Sequence, residues 1–286
     1  METATKSLYE IRIRPRQNWW TIDLRSIFES RDILYLMIRR DLMVRYQQTI
    51  LGPIWYLLQP FLTTVVFTII FSRVGRLSTD GLPPMLFYLT GVTIWGYFSQ
   101  NVTATSNIFV LYGEVFENVY FPRIIPPLAT TFSNLVALGI QLITVIGFII
   151  FFKFRGADIS LRVAEGLIIV PLLILQSATL SLGIGLFFAS LAAKYRDMVH
   201  LIAFLMQIWL YATPVVYPAS TLPDHYRWLV IVNPVAAIVE NFRGALLGTS
   251  SVTFFETTAS LTLTIAILLV GHLFFQRTAR TFIDYA

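Results

Sequence analysis

Residues 124–152 read IIPPLATTFSNLVALGIQLITVIGFIIFF, 29 consecutive positions between Arg123 and Lys153 without an Asp, Glu, Lys or Arg. A helix rises about 1.5 Å per residue, so about 20 residues cross about 30 Å of bilayer hydrocarbon. This stretch suffices with residues to spare. A charge at the centre of such a helix costs about 2.5–3.5 kcal/mol, which is why uncharged gaps of this length locate spans. Outward from it the gap recurs: 27 uncharged residues separate Arg45 from Arg73, 33 separate Asp80 from Glu114, and 28 separate Glu165 from Lys194. A fifth run extends from about Val199 to Tyr217, and a sixth, which holds His272, from Thr257 to Gln276. Two further runs, Trp228 to Val239 and Gly244 to Phe255, have 12 residues each; Asn233-Pro234 breaks the first, and the second carries Gly-Thr-Ser-Ser at 248–251. They are too short to cross and fit re-entrant or interfacial helices. The pattern predicts an all-α integral membrane protein of six transmembrane helices, with a short re-entrant helix pair between spans five and six.

Composition agrees. Of 286 residues, 56% are hydrophobic and 13% charged, with mean hydropathy +0.69, against about 45–50% and about 25% in soluble domains. The excess of apolar surface requires lipid as its solvent. Net charge is +5, but the basic residues sit in short clusters between apolar runs and form no continuous basic face for nucleic acid. The absence of cysteine excludes disulfides, cysteine metal sites and thiol nucleophiles. The first 20 residues lack the apolar centre of a signal peptide. With six spans both termini share one side, which collects 14 Lys and Arg against 7 on the other. The positive-inside rule places both termini in the cytoplasm, although Lys153, Arg155 and Arg162 between spans three and four run against it. Residues 1–22 form a cytoplasmic segment and 47–286 the six-span domain. Over 23–46, Leu24, Ile27, Phe28, Leu34, Tyr35, Ile38 and Leu42 recur at helical spacing behind Asp23 as a cap. This predicts an amphipathic helix in the cytoplasmic interface, with Trp19 and Trp20 near the headgroups.

Much familiar chemistry is missing. There is no Gly-x-x-x-x-Gly-Lys-Ser/Thr loop and no extramembrane stretch long enough for a nucleotide-binding domain, so the chain alone does not hydrolyse ATP. No Asp, Glu or Lys falls at a span centre, which argues against ion coupling. The three histidines, His200, His225 and His272, lie in different segments without metal-ligand or acid–base spacing. One enzymatic alternative is an intramembrane protease built from Ser250 or Ser251 with His272.

The spans do mix neutral polar groups with aromatic rings. Tyr56, Gln59, Thr63 and Phe67 share a face of span one; Tyr88 and Trp95 are seven apart in span two; Phe204, Gln207 and Tyr211 align in span five. Amides and hydroxyls facing lipid would go unsatisfied, so they face other helices or a wet lumen. Interhelical glue with aromatic belts is one account. The other is a sugar path lined by Tyr56, Gln59, Thr63, Phe67, Trp95, Gln207 and Tyr211. Between spans two and three, Leu111-Tyr-Gly-Glu-Val-Phe-Glu-Asn-Val-Tyr-Phe-Pro-Arg123 is either a solvated loop or a segment that docks into a groove on a soluble partner.

Arg40-Asp41 through Arg45-Tyr46, Leu51-Gly52, Trp55, Gln59-Pro60, Phe121-Pro122-Arg123, Tyr195-Arg196-Asp197, Pro214-Val-Val-Tyr-Pro218, Asn233-Pro234 and Glu240-Asn-Phe-Arg243 occur in that order. This ordered set resembles the membrane subunits of type 2 ABC exporters, nearest to the Wzm-like polysaccharide and O-antigen branch. The resemblance covers about residues 24 to 286. It implies a homodimer in the bacterial inner membrane, joined by two copies of an ABC ATPase that binds ATP and Mg, with no cofactor in this chain. The implied substrate is a glycan on a polyprenyl pyrophosphate lipid; teichoic acid, lipid or drug export are alternatives within the broad family. It further implies an ATPase-coupling helix at Gly113, Glu114, Glu117, Asn118, Tyr120, Phe121, Pro122 and Arg123. A periplasmic gate is implied at Trp228, Asn233, Pro234, Glu240 and Arg243, and a role in substrate entry for the helix matching Leu24 to Tyr46.

Overall fold

Proline, glycine and side-chain caps punctuate the chain into helices. The computed structural model describes residues 24–46, 50–118, 121–157, 159, 163–195 and 197–281, all of its regular structure being helical. Asp23, Trp19, Trp20 and Tyr120, to which roles fall above, lie outside the described residues. In order the helices are α1 (Leu24–Glu29), α2 (Arg31–Tyr46), α3 (Trp55–Phe67), α4 (Pro84–Ser106), α5 (Ile108–Asn118), α6 (Ile125–Phe154), α7 (Val163–Ala192), α8 (Met198–Ala212), α9 (Trp228–Val232), α10 (Pro234–Leu247) and α11 (Phe254–Thr281). A π-helical turn, Thr68–Val74, extends α3.

Start signals are visible in the sequence of several. Pro84 and Pro234 sit in the first turns of α4 and α10, where the missing N–H has no helical partner to lose. Thr253 and Glu256 form a capping box on α11: the Glu256 carboxylate accepts from the Thr253 N–H at 2.7 Å, and the Thr253 hydroxyl accepts from the Glu256 N–H at 3.3 Å. Gly248, at φ 84°, takes the left-handed conformation that closes α10.

Among the described residues, four helical segments are long and apolar enough to cross a membrane: Gly52–Val74, Ile125–Phe154, Glu165–Ala192 and Phe254–Ala279. The other two expected spans fall short in different ways. At 23 residues α4 has the length, but its Thr, Ser, Asn and Gln dilute it; α8 is apolar but has 15 residues, about 22 Å at helical rise.

The dilution of α4 has a structural cause. It is the central helix, packed on α3, α6, α7, α8 and α10, with Leu86, Phe87, Tyr88, Phe98, Asn101, Val102 and Thr105 fully enclosed. Its polar groups meet protein, as in Asn134, whose amide donates to Asn101 at 2.6 Å. The tightest crossing joins α7 and α11, where a Cβ on Gly271 would lie 2.0 Å from the Gly183 carbonyl oxygen. Lipid tails are as apolar as leucine, so close backbone approach and interhelical hydrogen bonds hold such helices together.

The helix expected over residues 23–46 is interrupted at Ser30 and becomes α1 and α2. Ile27, Leu34 and Ile38 pack with buried Met37 on a second core cluster that includes Ile108, Phe109, Tyr112, Phe121 and Phe275. Phe28 and Tyr35, counted above on the same apolar face, are 70% and 65% exposed. Each is one position past an inward residue, hence about 100° around the helix.

Candidate transport path and coupling site

The residues expected to line a path separate into two groups. Phe67 and Trp95 are buried inside the subunit. The Phe67 ring lies 5.3 Å from Phe71 and 6.2 Å from Tyr88; Trp95 lies 5.5 Å from Phe98 and 6.5 Å from Trp209. These two rings therefore belong to the packed interior of this subunit. Tyr56 and Thr63 are half-buried, and Gln59, Gln207 and Tyr211 are exposed. The exposed groups stand on α3 and α8, both of which pack on α4. Around them the surface is apolar, with Trp55, Leu62 and Val66 on α3 and Phe204 and Ile208 on α8. Gln141 of α6 fastens α3 by donating to the Tyr56 carbonyl at 3.2 Å.

The expected gate residues meet around α10. Asn233 caps it, its side-chain oxygen accepting from the Val235 N–H at 3.2 Å and from Trp209 Nε1 at 3.1 Å. Its amide donates to the Ala212 carbonyl at 3.2 Å and to the Thr213 hydroxyl at 3.0 Å. One side chain thus ties α10 to the end of α8; Trp209 is part of this tie and was not singled out by sequence. Pro234 is buried beside it, while Trp228, at the start of α9, is exposed.

Deeper in, Arg243 is 1% and Glu240 2% exposed. Their Nη1–Oε1 distance is 2.7 Å. Glu240 also accepts from the Ala219 N–H at 3.1 Å and the Ser251 hydroxyl at 3.4 Å. Arg243 donates to the Pro214 carbonyl at 3.1 Å, and its guanidinium carbon sits 3.6 Å from the centre of the Phe87 ring. Gly91 leaves the room, since a Cβ there would meet Arg243 Nη2 at 3.0 Å. Burial pushes the Glu240 carboxyl up, against the pull of Arg243 and the Ala219 N–H. The pair holds together α4, α10 and the segment after α8.

At the other end of the bundle, α5 carries Gly113, Glu114, Glu117 and Asn118 in its last turns. Phe121 is buried, and Pro122 and half-buried Arg123 lead into α6. Burial pushes the Arg123 guanidinium down. A cluster that sequence did not assemble ties α5 to α2. Tyr112 donates to Asp41 at 3.1 Å, Arg40 Nη2 donates to the Tyr112 hydroxyl, and the Arg40 guanidinium lies 4.7 Å over the Tyr112 ring. Arg40 and Asp41 were legible only as part of a family motif. Tyr112 had no signal beyond its place in the loop.

The Ser/His alternative fails on geometry. Ser250 and Ser251 precede α11, and His272 lies 18 residues beyond Phe254, about 27 Å along the helix axis. The Ser250 hydroxyl donates to Asn241 and that of Ser251 to Glu240, so neither is activated by His272.

Comparison with known proteins agrees with this architecture. The family model described as ABC-2 type transporter matches residues 33–247. The chain is 26% identical over 213 residues to the O-antigen export system permease protein RfbA of Klebsiella pneumoniae, covering 74% of this chain and 79% of that one. It is 25% identical over 224 residues to the protein of the same name from Myxococcus xanthus, covering 77% and 82%. Identity is 20% over 256 residues to the capsule polysaccharide export inner-membrane protein CtrC of Neisseria meningitidis, covering 87% and 91%.

Proposed function

The chain belongs to the ABC-2 type transporter family, and from that premise we propose that it is the transmembrane subunit of an ATP-driven exporter of lipid-linked polysaccharide. Its relatives are named for O-antigen and capsule polysaccharide export, which favours a glycan over a drug or free lipid. In this reading α3, α4, α6, α7, α8 and α11 are the six spans of an inner-membrane protein with cytoplasmic termini. The short α8 is completed by the segment after it, and α9 and α10 cap the outer side.

The observation that carries the proposal is the exposure of Gln59, Gln207 and Tyr211 on otherwise apolar faces of α3 and α8. Side-chain amides left against hydrocarbon lack hydrogen-bond partners. In a homodimer the two faces turn toward a shared axis and offer rings and neutral hydrogen-bonding groups to a sugar chain. Tyr56 and Thr63 adjoin that lining, and Phe67 and Trp95 support it from behind. ATP and Mg act on a separate ATPase subunit, which docks on Gly113 to Arg123. Movement of α5 then passes to α2 through Tyr112, Arg40 and Asp41.

Deleting the encoding gene tests the proposal. Lipid-linked polysaccharide should accumulate in the cytoplasm and be cleared by the restored wild-type chain, but cleared poorly by a Gln59→Leu, Gln207→Leu variant. A deletion strain that delivers surface glycan normally would refute it.

A further inference from the structure

Path-lining groups are aimed only as well as the helix that carries them. Along α8 the buried residues are Ile202 and Met206, and half-buried Trp209 continues their stripe at helical spacing. Apolar contact is non-directional, and in lipid it gives no net preference for one rotation of a helix over another. Beside Trp209 the packing is also open: its ring borders an apolar cleft of about 380 Å³ shared with Phe187 and Phe188 of α7 and Ile267 of α11. Whatever holds α8 to one rotation must therefore be directional.

The directional element is a closed ring of hydrogen bonds. Trp209 Nε1 donates to the Asn233 side-chain oxygen at 3.1 Å, the Asn233 amide donates to the Thr213 hydroxyl at 3.0 Å, and that hydroxyl donates to the Trp209 carbonyl at 2.9 Å. Asn233 cannot turn its amide over. Its oxygen also accepts from the Val235 N–H and its nitrogen also donates to the Ala212 carbonyl, so a flip would set donors against donors. The indole stands edge-on to Phe98 at 5.6 Å and to Trp95 at 6.5 Å, an arrangement that aromatic pairs prefer. The acceptor belongs to the start of α10, a helix locked further along by the buried Arg243–Glu240 pair.

Gln207 and Tyr211 lie two residues before and two after Trp209. At about 100° per residue each is about 200° away, so the stripe they form stands opposite the indole. Both are exposed. A rotation that breaks the Trp209 bond swings that stripe through the same angle. We propose that Trp209 is a positioning residue: its indole N–H, held by Asn233, fixes the rotation of α8 and so aims Gln207 and Tyr211 into the path. The inference rests on the path reading given above and adds to it the group that sets the aim. Because Asn233 also caps α10, the lining and the outer cap share one reference point.

The chain has no cysteine, so single cysteines can report the rotation. Gln207→Cys and Tyr211→Cys are each placed in the full chain, in membranes, and labelled with a water-soluble thiol reagent. The thiolate is the reactive form and apolar surroundings suppress it, so the rate reads hydration at that position. Both positions should label with Trp209 in place. Trp209→Phe keeps a ring and deletes the donor; it should lower both rates about fivefold, the scale on which one net hydrogen bond biases two orientations. Asn233→Ala removes the acceptor and leaves the indole, and should lower them at least as far, with the two combined no lower than Asn233→Ala alone. Rates that either variant leaves unchanged overturn the proposal, even where the unfolding midpoint drops, because a purely structural bond moves stability alone. A fully additive fall in the combination overturns it as well. If neither position labels with Trp209 in place, the wet path is refuted and the positioning role falls with it. Labelling that ignores both variants refutes the role alone.

Discussion

Around α10 the charges are sealed in; around α2 and α5 they are half open to the surroundings. Arg243 and Glu240 have side-chain exposures of 2% each, whereas Arg40 has 50% and its partner Asp41 12%. The first pair reaches Phe87, Pro214, Ala219 and Ser251, so four chain segments share one ion pair. Among the described residues, the second joins α2 to α5, beside a helix interrupted at Ser30. A buried pair costs several kcal/mol per ion to desolvate, and losing one partner leaves the other uncompensated. An exposed pair is worth little and can be remade after a shift. The difference matches what the proposed coupling role requires, a fixed frame at the α10 end and a joint that can be remade at the α2–α5 end.

Arg243→Met is the strongest way to break the comparison. It strands the Glu240 carboxylate and should destabilise the subunit by about 3–5 kcal/mol, read as a collapse of the thermal unfolding midpoint in detergent. The double variant Glu240→Leu, Arg243→Met should recover part of the loss. If it is as unstable as the single variant, shape and not charge governs the site. Asn233→Ala comes next. It removes a helix cap and three interhelical hydrogen bonds, and a loss of about 2 kcal/mol is expected, the upper end for a cap.

At the other end, Tyr112→Phe keeps the ring and deletes the hydrogen bonds of its hydroxyl with Arg40 and Asp41. Stability should fall by about 1 kcal/mol at most, while glycan export falls with ATPase assembly intact. Export equal to wild type would deny the cluster any part in transmission. Reversal of Glu117 and Arg123 should weaken co-purification with the ATPase; unchanged complex formation would remove the docking role of that segment.

Spans were legible where a single helix carries its own signal. The 29-residue gap of α6 and the 28-residue gap of α7 each predict a crossing helix, because length and lack of charge are local properties. The reading was least direct at α4, whose polar residues are tolerated because neighbouring helices enclose them. The same limit applies to the path. Periodicity put Tyr56, Gln59, Thr63 and Phe67 on one face, yet Gln59 is exposed and Phe67 is buried, since α3 leaves one end of that stripe uncovered and presses the other against Tyr88. At α10, Asn233-Pro234 announced a helix start. Nothing in the order of residues announced that Asn233 would also hold Trp209.

By itself the sequence determined the solvent, the helical class, the candidate spans and the family, through charge-free length, spacing and an ordered set of short motifs. Only the tertiary structure decided that Arg243 lies against Phe87 beside Gly91, that Tyr112 meets Arg40 and Asp41, and that α7 and α11 cross at two glycines and frame a cleft with α10. Helix formation and membrane insertion depend on residues within a few turns of one another. Burial, ion pairing and cavities depend on which distant helix becomes the neighbour, and that choice is made by packing.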